Sequence, residues 1–163
     1  MTDQSLGPVM LDVAGLTLSA EEREMLAHPQ VGGVILFARN FASVEQLQAL
    51  TAELRACRPN ILLAVDHEGG RVQRFRQGFT RIPAMAQLVS QAPWLVQSCA
   101  RLMALELMAC GLDFTFAPVL DRFNPASEVI GDRAFAEDVR RISQYASEFI
   151  YGLNDEGLSL IHI

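Results

Sequence analysis

Short apolar segments alternate along the chain with longer stretches of helical periodicity. The apolar segments show little of the polar alternation that marks a strand with one face in water. Strands of a parallel sheet are buried on both faces, so this pattern predicts a parallel sheet. The predicted strands lie at residues 8–11, 31–37, 61–65, 114–120 and 158–163.

Helices are predicted between these strands, and the first two begin with capping boxes. In such a box a Ser side chain and a Glu or Gln three residues later satisfy each other's backbone amides. The boxes are Ser19 with Glu22, in a helix that stops before Pro29, and Ser43 with Gln46.

The two later helices are longer and are predicted at residues 92–110 and 135–154. The first of them is apolar almost all round, so we expect other elements to cover it well. The second has an apolar set at helical spacing, namely Val139, Ile142, Tyr145, Phe149 and Leu153.

Repeated strand–helix alternation predicts an α/β fold with right-handed crossovers between parallel strands. Two architectures satisfy this pattern, a doubly wound sheet and a (β/α)8 barrel. In both, the carboxyl edge of the sheet carries the active site.

Composition excludes several classes of partner. The chain has 163 residues, a length typical of one domain, and its formal net charge of −6 argues against nucleic acid. Its longest apolar region, residues 99–120, is interrupted by Arg101, Glu106 and Asp113, so no membrane span is predicted.

The cysteines predict buried free thiols. Cys57, Cys99 and Cys110 form no CxxC pair, which argues against a metal site or a disulfide framework. Free thiols, together with the lack of a visible secretory leader, indicate a reducing compartment.

Polar residues stand at or just past the ends of four predicted strands: Asp12, Asn40, Asp66 and Asp121. Polar residues often end strands simply because the chain meets water there. Four such positions on one edge, two of them followed by charged loops, favour a binding or catalytic site.

The loop after Asp66 is unusually long, about 25 residues with little periodicity, and loops of this length in compact domains are commonly functional. It contains Gly69 and Gly70 and four arginines, at positions 71, 74, 76 and 81. Forked guanidinium donors and a carboxylate suit an anionic or polyhydroxylated ligand. His67 either lines a pocket or takes a packing or solvent position, whereas His28 is predicted at the surface.

Several sharper motifs are absent from the sequence, including the P-loop, the dinucleotide fingerprint, the zincin HExxH and the GxSxG elbow.

Four sequence blocks together resemble bacterial β-N-acetylhexosaminidases of glycoside hydrolase family 3. The blocks occur in the order and spacing typical of that family and span about residues 6–157. They are Val31-Gly-Gly-Val-Ile-Leu-Phe-Ala-Arg-Asn40, Asp66-His-Glu-Gly-Gly-Arg-Val-Gln-Arg74 with Arg81-Ile-Pro83, Phe116-Ala-Pro-Val-Leu-Asp121, and Ile130-Gly-Asp-Arg-Ala-Phe-Ala-Glu-Asp138.

The resemblance implies a (β/α)8 TIM barrel and a cytoplasmic glycosidase of cell-wall recycling. Such an enzyme releases terminal N-acetylglucosamine from peptidoglycan-derived muropeptides. By matching position, Asp66, Arg74 and Arg133 would contact the sugar, and no metal or cofactor is implied.

The resemblance also implies chemistry that this chain is expected to lack. The family's Lys-His-Phe-Pro-Gly-His-Gly motif, its general acid/base and its Asp nucleophile belong to segments expected beyond residue 163. Every one of the 13 basic residues is arginine, so the motif's lysine is absent. By residue count, His162 lies close to the expected position of this motif. Its neighbours do not match the motif, so no role is assigned to it.

We therefore interpret residues 1–163 as about four β/α units of the barrel plus the start of a fifth strand, with 158–163 a tail foreign to the family. The expected function is that of a β-N-acetylhexosaminidase, inactive as this chain alone. The alternative is a sugar-binding or structural half barrel without catalysis. Open sheet edges would also make the chain prone to self-association.

Overall fold

A computed structural model describes residues 6–161, so His162 and the last residue of the predicted fifth strand lie outside the described part. The strands, in chain order, are β1 (Val9–Leu11), β2 (Val31–Leu36), β3 (Leu62–Val65), β4 (His67–Gly69), β5 (Val72–Gln73), β6 (Phe114–Thr115) and β7 (Ser159–Leu160).

The helices cover most of the predicted helical stretches. They are α1 (Ala20–Ala27), α2 (Val44–Cys57), α3 (Met85–Leu88), α4 (Pro93–Ala109) and α5 (Val139–Asp155), with single 3-10 turns at Ala38–Asn40 and Gly131–Arg133.

The main sheet is parallel and its strands follow the chain, in the order β1-β2-β3-β6-β7. The predicted parallel α/β architecture is therefore confirmed. Right-handed crossovers that always step in one direction place their helices on the same face of the sheet. A doubly wound sheet reverses its order at a switch point. The described order has no reversal, which favours the barrel alternative.

The helix starts follow from local hydrogen bonding, as the sequence predicts. Ser19 Oγ accepts from the Glu22 amide at 3.1 Å, and Glu22 Oε2 accepts from the Ser19 amide at 2.7 Å. Ser43 Oγ accepts from the Gln46 amide at 3.2 Å at the start of α2. These bonds satisfy amides that have no partner within the helix.

The fourth strand of the main sheet is shorter than predicted. It ends at Thr115 instead of residue 120, although the Phe116 amide still donates to Val65 O at 3.2 Å. Pro118 follows with a cis peptide bond, and proline has no amide hydrogen with which to continue a ladder.

Helix α5 begins four residues later than predicted because Asp138 caps it. The Asp138 carboxylate accepts from the amides of Arg140 and Arg141 at 2.7 and 3.1 Å. Val139 then falls in the first turn and is exposed, while the rest of the predicted apolar set is buried: Ile142, Tyr145, Phe149 and Leu153.

The prediction that α4 is well covered is wrong for one face. Its buried face includes Ala100, Met103 and Leu107, but Leu105 is 51% exposed and Met108 is 40% exposed. The close packing is against α5, where a side chain on Gly152 would come within 2.4 Å of Gln97 O. A helix that is apolar all round can still bury only the faces that neighbours reach.

The cysteines are free, as predicted, but only Cys110 is buried; Cys57 and Cys99 are partly exposed. Within residues 6–161, no helix is both long and apolar enough to cross a membrane.

Candidate functional site

The polar residues predicted at strand ends differ in burial and in hydrogen-bond partners. Asn40 is fully buried, and its amide donates to Val13 O and Gly15 O at 2.9 and 2.8 Å while its Oδ1 accepts from the Phe37 amide. Its role is structural, because it joins the first two loops at the carboxyl edge of the sheet. Asp12 is exposed and forms an ion pair with Arg39.

Asp66 and Arg74 meet at this edge, as the loop pattern suggests. Arg74 Nη2 lies 3.2 Å from Asp66 Oδ2, and both side chains are about one-third exposed, at 32% and 28%. The pair therefore keeps contact with solvent. Such a carboxylate can accept hydroxyl hydrogens while the neighbouring guanidinium donates.

The segment after Asp66 contains regular structure that its lack of periodicity did not reveal. Its first part is a β-hairpin, residues 67–73, made of antiparallel β4 and β5. Gly69 and Gly70 turn it with φ angles of +87° and +55°, which favour glycine. The Gly70 amide donates to Ile82 O at 2.8 Å, so the turn is held against the later part of the loop.

A buried glutamine organises the rest of this segment. Gln73 Nε2 donates to Phe75 O and Thr80 O, and Gln73 Oε1 accepts from the Ile82 amide at 3.0 Å. The side chains of Phe75, Phe79 and Ile82 are buried in the core. The loop is thus anchored by apolar packing and by one side-chain amide.

Arg133 lies in the 3-10 turn that precedes α5, and its partner is Glu68. Arg133 Nε and Nη2 donate to the two Glu68 carboxylate oxygens, each at 2.8 Å. The hydrogen bond to Glu68 is the main cause that raises the pKa of Arg133 above its ordinary value. The charges of Glu68, Asp66 and Asp121 act in the same direction, although partial burial opposes them.

These contacts bring the three predicted sugar-contacting residues to one edge. Asp66 and Arg74 form an ion pair, and the negative charge of Asp66 acts on the Arg133 guanidinium. The structure does not pair Arg133 with Asp66 directly. Glu68 could not be identified from local sequence as the partner of Arg133, because the two residues are 65 positions apart.

Thr115, which no sequence motif marks, fixes the backbone on both sides of Asp66. It is fully buried, and its Oγ1 accepts from the His67 amide at 3.2 Å while lying within hydrogen-bonding distance of Val65 O and His67 O. The hydroxyl therefore holds the end of β3 in place where Asp66 leaves the sheet.

His67 takes a packing position rather than lining a pocket. Its side chain is buried, with its ring centroid 5.7 Å from that of Phe75 and 5.8 Å from that of Phe79. Burial, reinforced by the charge of Arg74, lowers the pKa of His67 to about 4. Nδ1 has no hydrogen-bond partner among the described residues, so the neutral imidazole is the form that fits. His28 is exposed, as predicted.

The side chains at this edge can both accept and donate hydrogen bonds to a polar ligand. Across residues 6–161, no group of three or more His, Cys, Asp or Glu side chains could hold a metal ion. Carboxylate acceptors and planar guanidinium donors match the vicinal hydroxyls and the amide of a sugar.

The sequence matches the family model described as Glycosyl hydrolase family 3 N terminal domain over residues 3–161. It is 51% identical to a "Beta-hexosaminidase" of Alkalilimnicola ehrlichii, over 96% of this chain and 47% of that protein. It is 54% identical to a "Beta-hexosaminidase" of Tolumonas auensis, over 94% of this chain and 47% of that protein.

Among solved structures, the fold is similar to NagZ from Neisseria gonorrhoeae in complex with N-trifluoroacetyl-D-glucosamine. The TM-score is 0.92 with 44% sequence identity, covering 95% of this chain and 48% of that one. The chain thus spans about half the length of the relatives it matches.

Proposed function

Because the chain belongs to glycosyl hydrolase family 3 through its N-terminal domain, we propose that it carries the N-acetylglucosamine-binding part of a β-N-acetylhexosaminidase. The resemblance that the sequence motifs indicated is confirmed at the level of the family. The activity, the substrate and the roles of individual residues are proposals.

The observation that carries the proposal is the grouping of Asp66, Arg74 and Arg133 at the carboxyl edge of the sheet. We assign Asp66 to accept hydrogens from sugar hydroxyls, and Arg74 and Arg133 to donate to its oxygens. Charge-assisted bonds of this type fix both the position and the orientation of a sugar ring. The glucosamine derivative bound by the gonococcal relative supports the choice of ligand class.

The same proposal covers the architecture and the biological setting. We propose that residues 1–163 form about four β/α units of a (β/α)8 barrel, and that the substrate is a muropeptide recycled in the cytoplasm. The one-directional strand order supports the barrel.

The experiment is a titration of the chain with N-acetylglucosamine, comparing the unaltered protein with Arg133→Ala. A hydrogen bond to a charged group contributes about 1.5–3 kcal/mol, so we expect Arg133→Ala to weaken binding roughly tenfold or more. Arg101→Ala is a matched control, because Arg101 pairs with Glu156 on the helical side of the molecule.

Equal affinities for the unaltered chain and Arg133→Ala would contradict the proposal. A chromogenic N-acetylglucosaminide assay then separates the candidates. Binding without turnover favours a sugar-binding role for this chain, which is the second candidate. That candidate is favoured because the three assigned side chains serve recognition and none is assigned as a nucleophile.

A further inference from the structure

The 67–73 hairpin holds the loop formed by residues 128–133 at two separate points. At one point, the Glu68 carboxylate accepts two hydrogen bonds from the guanidinium of Arg133. At the other, Arg71 donates to the main-chain oxygens of Glu128, Val129 and Ile130 and to the carboxylate of Asp132. The two segments are about 60 residues apart in sequence, so these bonds are long-range ties between neighbouring loops.

The Glu68–Arg133 contact differs from the other ion pairs at this edge in its burial. The Glu68 side chain is 5% exposed and that of Arg133 is 22% exposed, whereas the Asp12–Arg39 pair is about half exposed. Burying a carboxylate away from water costs free energy unless a cationic partner remains hydrogen-bonded to it. The two parallel hydrogen bonds from Arg133, a bidentate fork, provide this partner. They also restrict the rotation of the guanidinium.

The fork also determines which edge of the guanidinium remains available. Arg133 uses Nε and Nη2 for Glu68, and Nη1 donates to Val129 O at 3.2 Å. Since the guanidinium is planar, the N–H groups not used by Glu68 lie on a different edge from the fork. Their direction is set before any ligand arrives.

We propose that Glu68 is a positioning residue, which acts through Arg133 and does not itself touch the sugar. Arg71 supports it by fixing the backbone that carries Arg133. This inference rests on the proposed function, because Arg133 is taken as a sugar donor. Holding that donor in place beforehand removes the ordering cost that binding would otherwise carry.

The anchoring is tested by NMR of the Arg133 Nε–H, assigned by its loss in Arg133→Ala. We expect slow exchange with solvent in the unaltered chain and at least tenfold faster exchange in Glu68→Gln. Gln presents an NH2 group to the guanidinium and cannot reproduce the fork. Glu128→Gln is the matched control, because Glu128 is exposed on the same loop and contributes only its main-chain oxygen.

The effect on binding is tested by a double-mutant cycle in the N-acetylglucosamine titration. Glu68→Gln should weaken binding several-fold in the unaltered background and cause no further loss in the Arg133→Ala background. A merely structural effect of Glu68 would weaken binding in both backgrounds. Circular dichroism establishes that each variant is folded, and Glu68→Asp provides a second variant that keeps the charge if Glu68→Gln does not fold.

The outcomes separate this inference from the function on which it rests. If Arg133→Ala weakens binding but Glu68→Gln binds like the unaltered chain, the positioning role is overturned and the proposed function stands. Fast exchange of the Arg133 Nε–H in the unaltered chain would also overturn the positioning role. Failure of the unaltered chain to bind the sugar overturns the proposed function and this inference with it.

Discussion

His67 illustrates how a single side chain at the candidate edge serves packing beside residues that we propose for recognition. It directly follows Asp66 in sequence, yet its ring packs against the rings of Phe75 and Phe79. A protonated imidazole at this position would be buried beside the positive charge of Arg74. The site therefore keeps His67 neutral, and protonation has a cost that can be measured.

We expect the chain to lose stability as the pH falls from 6.5 toward 4. In this window the unfolded chain binds a proton at His67 and the folded chain, with a pKa of about 4, does not. The pKa difference corresponds to a loss of about 3 kcal/mol once the pH is below the folded value. Urea denaturation at a series of pH values measures the unfolding free energy.

His67→Gln should flatten this dependence between pH 6.5 and 5, a range in which most carboxylates are still ionised. His28→Gln is the matched control, since it removes a histidine that is exposed and lies outside this aromatic cluster. The same slope in His67→Gln as in the unaltered protein would contradict the assignment.

At the scale of elements, the 67–73 hairpin is the part on which the candidate site depends most. Asp66 precedes it, Arg74 follows it, and Glu68 within it holds Arg133. Its turn lies directly against Ala84, so the geometry of three candidate residues depends on a close backbone contact.

Gly70→Ala should destabilise the chain by about 1–3 kcal/mol and weaken sugar binding as well. The φ angle of +55° is strained for alanine, and the added Cβ would come within 2.8 Å of Ala84 Cβ. Gly15→Ala is the control, because nothing lies within 4 Å of a Cβ built there. Equal melting temperatures for the two variants would show that the turn tolerates the change.

The elements that sequence could predict are those whose causes are local. The Ser19–Glu22 box joins residues three apart, so the start of α1 is visible in the sequence. The hairpin cannot be predicted from sequence, because its two short strands, His-Glu-Gly and Val-Gln, show no alternation of apolar and polar residues.

The contacts of the candidate site also fall into local ones, which sequence can predict, and long-range ones, which it cannot. Asp66 and Arg74 are eight residues apart and could be grouped from one motif, although their role toward a sugar stays a prediction. The Glu68–Arg133 pair joins residues 65 apart, and Thr115 reaches the Asp66 turn from another strand. No local pattern predicts such contacts, because they depend on which strands become neighbours.

At the scale of the whole molecule, the described sheet has β1 and β7 as its outer strands. An outer strand presents backbone donors and acceptors on its free side, and such edges favour association between chains. Apolar side chains at the surface, including Val9 on β1 and Leu105 on α4, add to this tendency.

We therefore expect the chain to self-associate, and sedimentation velocity should detect species heavier than the 18.0 kDa monomer. Val9→Lys places a charge on the outer strand β1 and should shift the population toward monomer. Leu16→Lys is a matched control with similar exposure, 40% against 45%, but outside the sheet. A compact, monodisperse monomer for the unaltered chain would contradict this prediction.

The strand order has a consequence for how the chain is made. Each strand of the main sheet pairs with the strand of that sheet that precedes it in sequence. During synthesis, which proceeds from the N-terminus, every new strand therefore meets a partner that has already left the ribosome. The described part of the sheet can therefore grow one strand–helix unit at a time during translation.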